Sequence, residues 1–307
     1  MNVKRKLMNG ALSAVLGISL VGGGTWAAFN DIEKVTAGVE AGTLDLMIVS
    51  ANRAENTLSS IFNLSDLKPG DHMTRTFRLK NNGTLAIKDV LMSLEIGEFQ
   101  QAVEVKDSKI SVNNSALAYL DQFQVEVLST GAEKGGTGAY RYPKDLIKHK
   151  DQITLKDLYL ATSLSPNLED TYAQSDIAEA RNRISQAIHS NLHPHLQPDL
   201  SLFWVDNRVN VATINPDDWT GIPVYPYDPD DVEIKVKFKE VNTKEAGLFT
   251  QNQFQGNAIT VFFDFEARQW NGLNIQQNHI YDGLKGNGKE GYIGENEKAN
   301  SQTGNQN

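Results

Sequence analysis

DVEIKVKFK, residues 231–239, alternates without a break. Val232, Ile234, Val236 and Phe238 fall on one side of an extended chain, and Asp231, Glu233, Lys235, Lys237 and Lys239 on the other. Successive side chains of a strand point to opposite faces, so the run predicts a strand with one face in a core and one in water. Such one-sided strands belong to antiparallel sheets packed against a second layer.

Companion strands lie on both sides of it. In residues 258–268, Ile259, Val261, Phe263, Phe265 and Ala267 share a face, while Phe262 on the other face predicts partial cover there too. FQVEVL at 123–128 is a shorter strand, and MTRTFRLKN at 73–81 mixes β-branched and aromatic residues with charges as a half-buried strand does. Lys68-Pro69-Gly70-Asp71 ahead of it reads as a turn, with proline fixing φ and glycine taking the left-handed position. Asn82-Gly83 behind it favours a tight turn, so 73–81 and 85–96 (LAIKDVLMSLEI) are expected to form a hairpin. The set predicts a mainly β fold, a β-sandwich.

A few helices are predicted mid-chain. Ser115 caps a short one reaching about Gln122, and 154–161 (TLKDLYLA) gives another. A longer helix starts after Ser175 as N-cap, with Ile177, Ile184 and Ile188 at helical spacing, and Pro194 ends it. The 130–143 loop is rich in glycine and the 215–231 loop in proline. The tail at 284–307, rich in Gly, Asn, Glu, Lys and Gln, is expected to be disordered.

The first residues carry an export signal. Lys4, Arg5 and Lys6 precede an apolar run from Leu7 to Val21, then Gly22, Gly23 and Gly24, then Thr25-Trp26-Ala27. Charge, apolar stretch and small residues in that order make a secretory signal peptide over 1–27. Asn9, Gly10, Ser13, Gly17 and Ser19 dilute the run, which is also shorter than the roughly 20 residues that cross a bilayer. The cut falls between Ala27 and Ala28, because one residue later would put Trp26 where a small side chain is needed. Removing three positive charges takes the formal net charge of the 307-residue chain from −9 to −12. With no basic cluster, nucleic acid is not an expected partner.

Catalytic signatures are missing. Without cysteine there is no disulfide, thiol nucleophile or cysteine-bound metal. The histidines are His72, His149, His189, His193, His195 and His279. His189 and His193 have the spacing of helix-borne metal ligands, but Ser190 stands where a zinc peptidase of the helical type needs its glutamate. The pair reads as a polar helix end, with adventitious metal binding the alternative. Asp228, Asp230 and Asp231 read as a solvated Pro-Asp turn, since they lack the spaced ligands and closing glutamate of an EF-hand loop. No G-x-S-x-G elbow occurs, and the glycines at 22–24 lack the Lys-Ser/Thr pair of a phosphate loop. No catalytic, cofactor or metal residue is assigned.

Several segments together resemble one family, the TasA biofilm fibre proteins with their relatives camelysin and CalY. They are VGGGTWAAFND (21–31), AGTLDL (41–46), NLSDLKPGD (63–71), NNGTLAIKDVLMSLEIGEF (81–99), LKDLYL (155–160), VNVAT (209–213), GL (247–248), QNQFQGN (251–257) and FEARQWNGL (265–273). The chain departs from the family between Asp45 and Asn63, over 163–207 and in the 274–307 tail. The resemblance implies a jelly-roll-like β-sandwich, spanning 43–283 here, with helical insertions. It implies processing by a dedicated signal peptidase and export to the extracellular matrix or cell surface.

It further implies a homopolymer, a minor fibre-anchoring subunit and a possible matrix polysaccharide as partner. The freed leading segment, 28–42, would enter a neighbouring subunit as a donor strand through Ala28, Phe29, Asn30, Asp31, Ile32, Glu33, Lys34 and Val35. Burying Phe29, Ile32 and Val35 would contribute about 1.5–3 kcal/mol each at most. Their spacing is three rather than two, so alternation gives this segment no strand signal of its own. The competing implication is a secreted camelysin-type metallopeptidase.

Overall fold

In the computed structural model the described residues are 44–50, 61–83, 85, 87–101, 115–131, 144–192, 200–212, 221–222, 230–245 and 247–269. The expected leader at 1–27, the 28–42 segment and the 284–307 tail lie outside them. The strands are β1 (Leu46–Ser50), β2 (Ile61–Leu64), β3 (His72–Asn81), β4 (Ile87–Ile96), β5 (Phe123–Gly131), β6 (Lys144–Ile147), β7 (Trp204–Val205), β8 (Arg208–Asn210), β9 (Asp230–Phe238), β10 (Lys244–Glu245), β11 (Leu248–Phe249) and β12 (Ile259–Gln269). They form two five-stranded antiparallel sheets, ordered β1-β3-β9-β5-β6 and β2-β12-β4-β8-β7, and a small β10-β11 ribbon. The mainly β expectation holds.

The alternation of β9 is realised as read. Val232, Ile234, Val236 and Phe238 are buried, and Glu233, Lys235 and Lys237 between them are half-exposed. Flanked by β3 and β5, this strand is the centre of its sheet. Its inward face meets that of β12, where Ile259, Val261 and Phe263 are buried, in one continuous core. The Phe77 ring of β3 lies 5.6 Å from Phe265 of β12, which ties the sheets together. Phe262 on the outer face of β12 is half-buried, and a Cβ on Gly97 would come within 3.3 Å of its ring. The partial cover expected on that face is present.

The expected hairpin at Asn82-Gly83 does not form. β3 lies in one sheet, paired with β1 and β9, and β4 lies in the other, paired with β12 and β8. The Asn81 side chain shapes the crossing: its Nδ2 donates to the carbonyls of Leu85 (2.7 Å) and Ile222 (3.2 Å), and its Oδ1 accepts from Gly83 N–H at 2.9 Å. Asn82 N–H donates to Asp45 O at 2.8 Å. Both ten-residue strands find long partners with apolar faces, which outweighs the local preference of the dipeptide. The turn at 68–71 forms as expected, with Gly70 at φ +92° and Asp71 N–H donating to Lys68 O.

The described helices are α1 (Ala116–Leu120), α2 (Leu155–Thr162), α3 (Leu168–Thr171) and α4 (Gln174–Asn191). Ser115 caps α1, its Oγ accepting from Ala118 N–H at 3.2 Å. Thr154 and Asp157 form a reciprocal capping box on α2. α4 begins earlier than expected: Ala173 is its N-cap without a side-chain bond, and Ser175 lies within the first turn. Ile177, Ile184 and Ile188 of α4 are buried as predicted. Pro194 lies outside the described residues.

Candidate functional site

Each five-stranded sheet ends in two edges, and an edge is where a sandwich offers backbone groups to another chain. The β6 edge is backed by α4, with Leu146 fully buried and Asn191 Nδ2 donating to Leu146 O. β7 has only two residues and turns at once into β8 through Asp206 and Asn207, both at positive φ. β2 is finished on its inward side, since Phe62 and Leu64 have no exposed surface and the Phe62 ring packs 5.3 Å from Phe263. The Arg75 guanidinium of β3 lies 4.6 Å from the centre of the Phe62 ring. β1, like β7 with its half-buried Trp204 and Val205, is incompletely covered. Among the described residues it pairs with β3 alone, its core-directed Leu46 and Ile48 are only half-buried, and Leu44 and Met47 are 37% and 41% exposed.

The residues assigned to processing and strand donation, Ala27, Ala28 and the run from Phe29 to Val35, lie outside the described residues. His72 and His149 are exposed, His149 standing 4.0 Å from Glu126, and His189 is exposed in the last turn of α4. His193, His195 and His279 lie outside the described residues, so the His189–His193 pair is not described. Among the described residues no group of three or more His, Cys, Asp or Glu is placed to hold a metal ion.

Two of the three aspartates read as a solvated turn, Asp230 and Asp231, lie in a strand instead. Asp230 opens β9 with no exposed surface, and Asp231 accepts from Arg78 Nε and Nη2 at 2.8 Å each. Inclusion in a central strand buries Asp230 and leaves Asp231 partly exposed in its ion pair. Asp228 lies outside the described residues.

Sequence reasoning missed a polar network on the outer face of the second sheet. Arg208, almost fully buried, donates to Glu266, and Arg268 donates to Glu266 and Asp206. Asn210 is buried, donating to Asp89 Oδ1 at 2.9 Å and accepting from Val90 and Ala212 N–H at 3.0 and 3.2 Å. The hydrogen bond from Arg208 holds the Glu266 carboxyl below its ordinary range, and that from Arg268 does the same for Asp206. Burial pushes Asp89 up, against the opposing pull of Lys88 3.5 Å away. The only sequence signal is the contiguous RVN of residues 208–210, and its partners come from β4 and β12. The network fixes strands to one another; among the described residues it presents no nucleophile beside a base.

These features define a class, a helix-decorated antiparallel β-sandwich whose edge strands β1 and β7 are half-buried. Its descent is more specific. The chain belongs to the camelysin family, whose model, described as camelysin metallo-endopeptidase, matches residues 2–193. It is also 42% identical over 306 residues to the protein described as the major biofilm matrix component of Bacillus subtilis (strain 168), covering 98% of this chain and 99% of that one. The resemblance to the TasA, camelysin and CalY family therefore holds along nearly the whole sequence. No described helix is long and apolar enough to cross a membrane.

Proposed function

We propose that this protein is a secreted structural protein of the biofilm matrix that assembles head-to-tail into extracellular fibres by donor-strand exchange. The observation that carries the reading is its end-to-end relationship to a biofilm matrix component. The leader at 1–27 would be removed between Ala27 and Ala28 by a dedicated signal peptidase, freeing residues 28–35 to add to the sandwich of the next subunit. A head-to-tail contact that does not close on itself generates a filament. A minor subunit would anchor the fibre, and matrix polysaccharide would surround it.

The test is to express the chain trimmed to Ala28 beside one beginning at Thr36, and to image both by electron microscopy after checking that each is folded. Fibres from the first and folded monomers from the second are expected. Fibres of equal length from both would overturn strand donation.

A second reading, a secreted metallopeptidase, is favoured by the description the family model carries. It would have to draw ligands from outside the described residues, His193, His195 and His279 among them. Casein digestion with and without chelator decides it, using protein free of host proteases. Chelator-sensitive cleavage by the pure chain would establish the peptidase.

A further inference from the structure

We infer that Asn82-Gly83 is a site of spontaneous deamidation, and that its conversion releases a clasp that fastens the start of β1 to the end of β3. Beyond residues 1–27, Asn-Gly occurs at 82–83, 271–272 and 287–288, and the first alone lies among the described residues.

The chemistry needs only water as co-reactant. The Gly83 backbone nitrogen, giving up its proton, attacks Asn82 Cγ. The new C–N bond closes a cyclic imide, and the Cγ–Nδ2 bond breaks to release ammonia. Water then opens the imide at either carbonyl, leaving aspartate or isoaspartate at position 82; asparagine is thermally labile for this reason. Glycine at the next position favours attack, because no Cβ crowds the nitrogen and the backbone turns freely. The crossing from β3 to β4 leaves Asn82 exposed to water.

Two hydrogen bonds restrain the reaction in the folded chain. Gly83 N–H donates to Asn81 Oδ1 at 2.9 Å, which holds the proton on the attacking nitrogen. Asn82 Nδ2 donates to Asp45 Oδ2 at 2.9 Å, which fixes the amide that must leave. Asp45 is exposed, so its half of the restraint opens by local fluctuation and the site is slow rather than inert.

The same contact gives the product its effect. Asn82 N–H also donates to Asp45 O at 2.8 Å, one residue before β1 begins, and Leu46 of β1 is paired with Asn81. Deamidation removes the Nδ2 donor and sets a second carboxylate against that of Asp45, turning an attractive contact into like-charge repulsion. The isoaspartate product also lengthens the main chain by one methylene between positions 82 and 83, which disturbs the bond from Gly83 N–H to the buried Asn81. Among the described residues β1 pairs with β3 alone, so no second strand holds its first residues. Irreversible and first-order, the change accumulates with the age of the protein.

The site is tested on the chain trimmed to Ala28, held at mildly alkaline pH for a time that fully converts a synthetic peptide of residues 78–87. Peptide mapping with isoaspartate detection reads position 82. Conversion in the folded wild type, several-fold faster in Asp45→Ala and suppressed in Gly83→Ala, is the expected result. Asn82 intact in both the wild type and Asp45→Ala would overturn the site, and equal rates in the two would overturn the restraint.

The consequence is read with Asn82→Asp, which installs one product directly. Amide exchange over residues 46–50 should rise several-fold while that of β9 is unchanged, and added salt should lessen the difference. Asp45→Asn in the same chain should restore protection by returning an amide to the pair. Wild-type exchange of β1 in Asn82→Asp, or no recovery with Asp45→Asn, would overturn the clasp.

Discussion

Arg78 on β3 and Asp231 on β9 face each other across the sheet, guanidinium Nε and Nη2 each donating at 2.8 Å to one carboxylate oxygen. The pair couples an acidic residue of the alternating strand to its neighbour at the end where Asp230 is fully buried. Its side chains retain 33% and 14% exposure, so water and salt screen it.

Breaking that pair should therefore cost little. Arg78→Ala and Asp231→Ala are each expected to lower unfolding free energy by about 1 kcal/mol or less. A double-mutant cycle by urea denaturation checks this, and the coupling should shrink at high salt.

Phe77 is fully buried and faces Phe265 in the opposite sheet. Phe77→Ala removes a ring that both sheets share, and the expected loss is about 3–5 kcal/mol. Denaturant unfolding of the described domain measures it, with Phe77→Leu losing distinctly less.

Thr154 and Asp157 cap α2, and Asp157 also accepts from Arg183 Nη1 of α4 at 2.6 Å. Thr154→Ala should cost about 1 kcal/mol, as loss of a single cap does. Asp157→Ala should cost more, because it removes the reciprocal cap bond and the tie between the two helices together. Thermal unfolding of both variants ranks them.

Asp89 gives a pH dependence of defined sign. Burial raises its folded-state pKa above the ordinary value of 3.8, so the folded protein holds this proton more tightly than the unfolded chain. Its contribution is most favourable below 3.8 and declines as pH rises through the higher folded value. Glu266 runs the other way: hydrogen bonding to Arg208 lowers it from 4.5, so its stabilisation is present above 4.5 and lost as pH falls through the lower folded value. Asp89→Asn should remove the decline above 3.8, and Glu266→Gln should reduce the loss below 4.5. Melting temperature measured across that range for each variant separates the two contributions.

What was legible in the sequence was whatever depends on neighbours along the chain. The alternation of 231–239 named its buried face, Ser115 was recognisable as a cap, and Gly70 marked its turn, because period, capping and φ are local. Family membership was legible too, since it is written in matching segments spread from 21 to 273.

What depends on distant partners was not legible. Asn82-Gly83 states a local preference for chain reversal, while the choice of partner for β3 and β4 is made by β9 and β12, far along the sequence. Ser175 has the chemistry of an N-cap, yet α4 starts at Gln174 with Ala173 as its cap. The acidity of Asp230 and Asp231 suggested solvent, yet their place in a central strand buries one and pairs the other with a residue 153 positions away. By itself the sequence determined that there would be one-sided strands and a core. Only the tertiary structure decided which edges of the sandwich are left half-covered, because burial is a property of all the surfaces that meet, and no stretch of chain carries it alone.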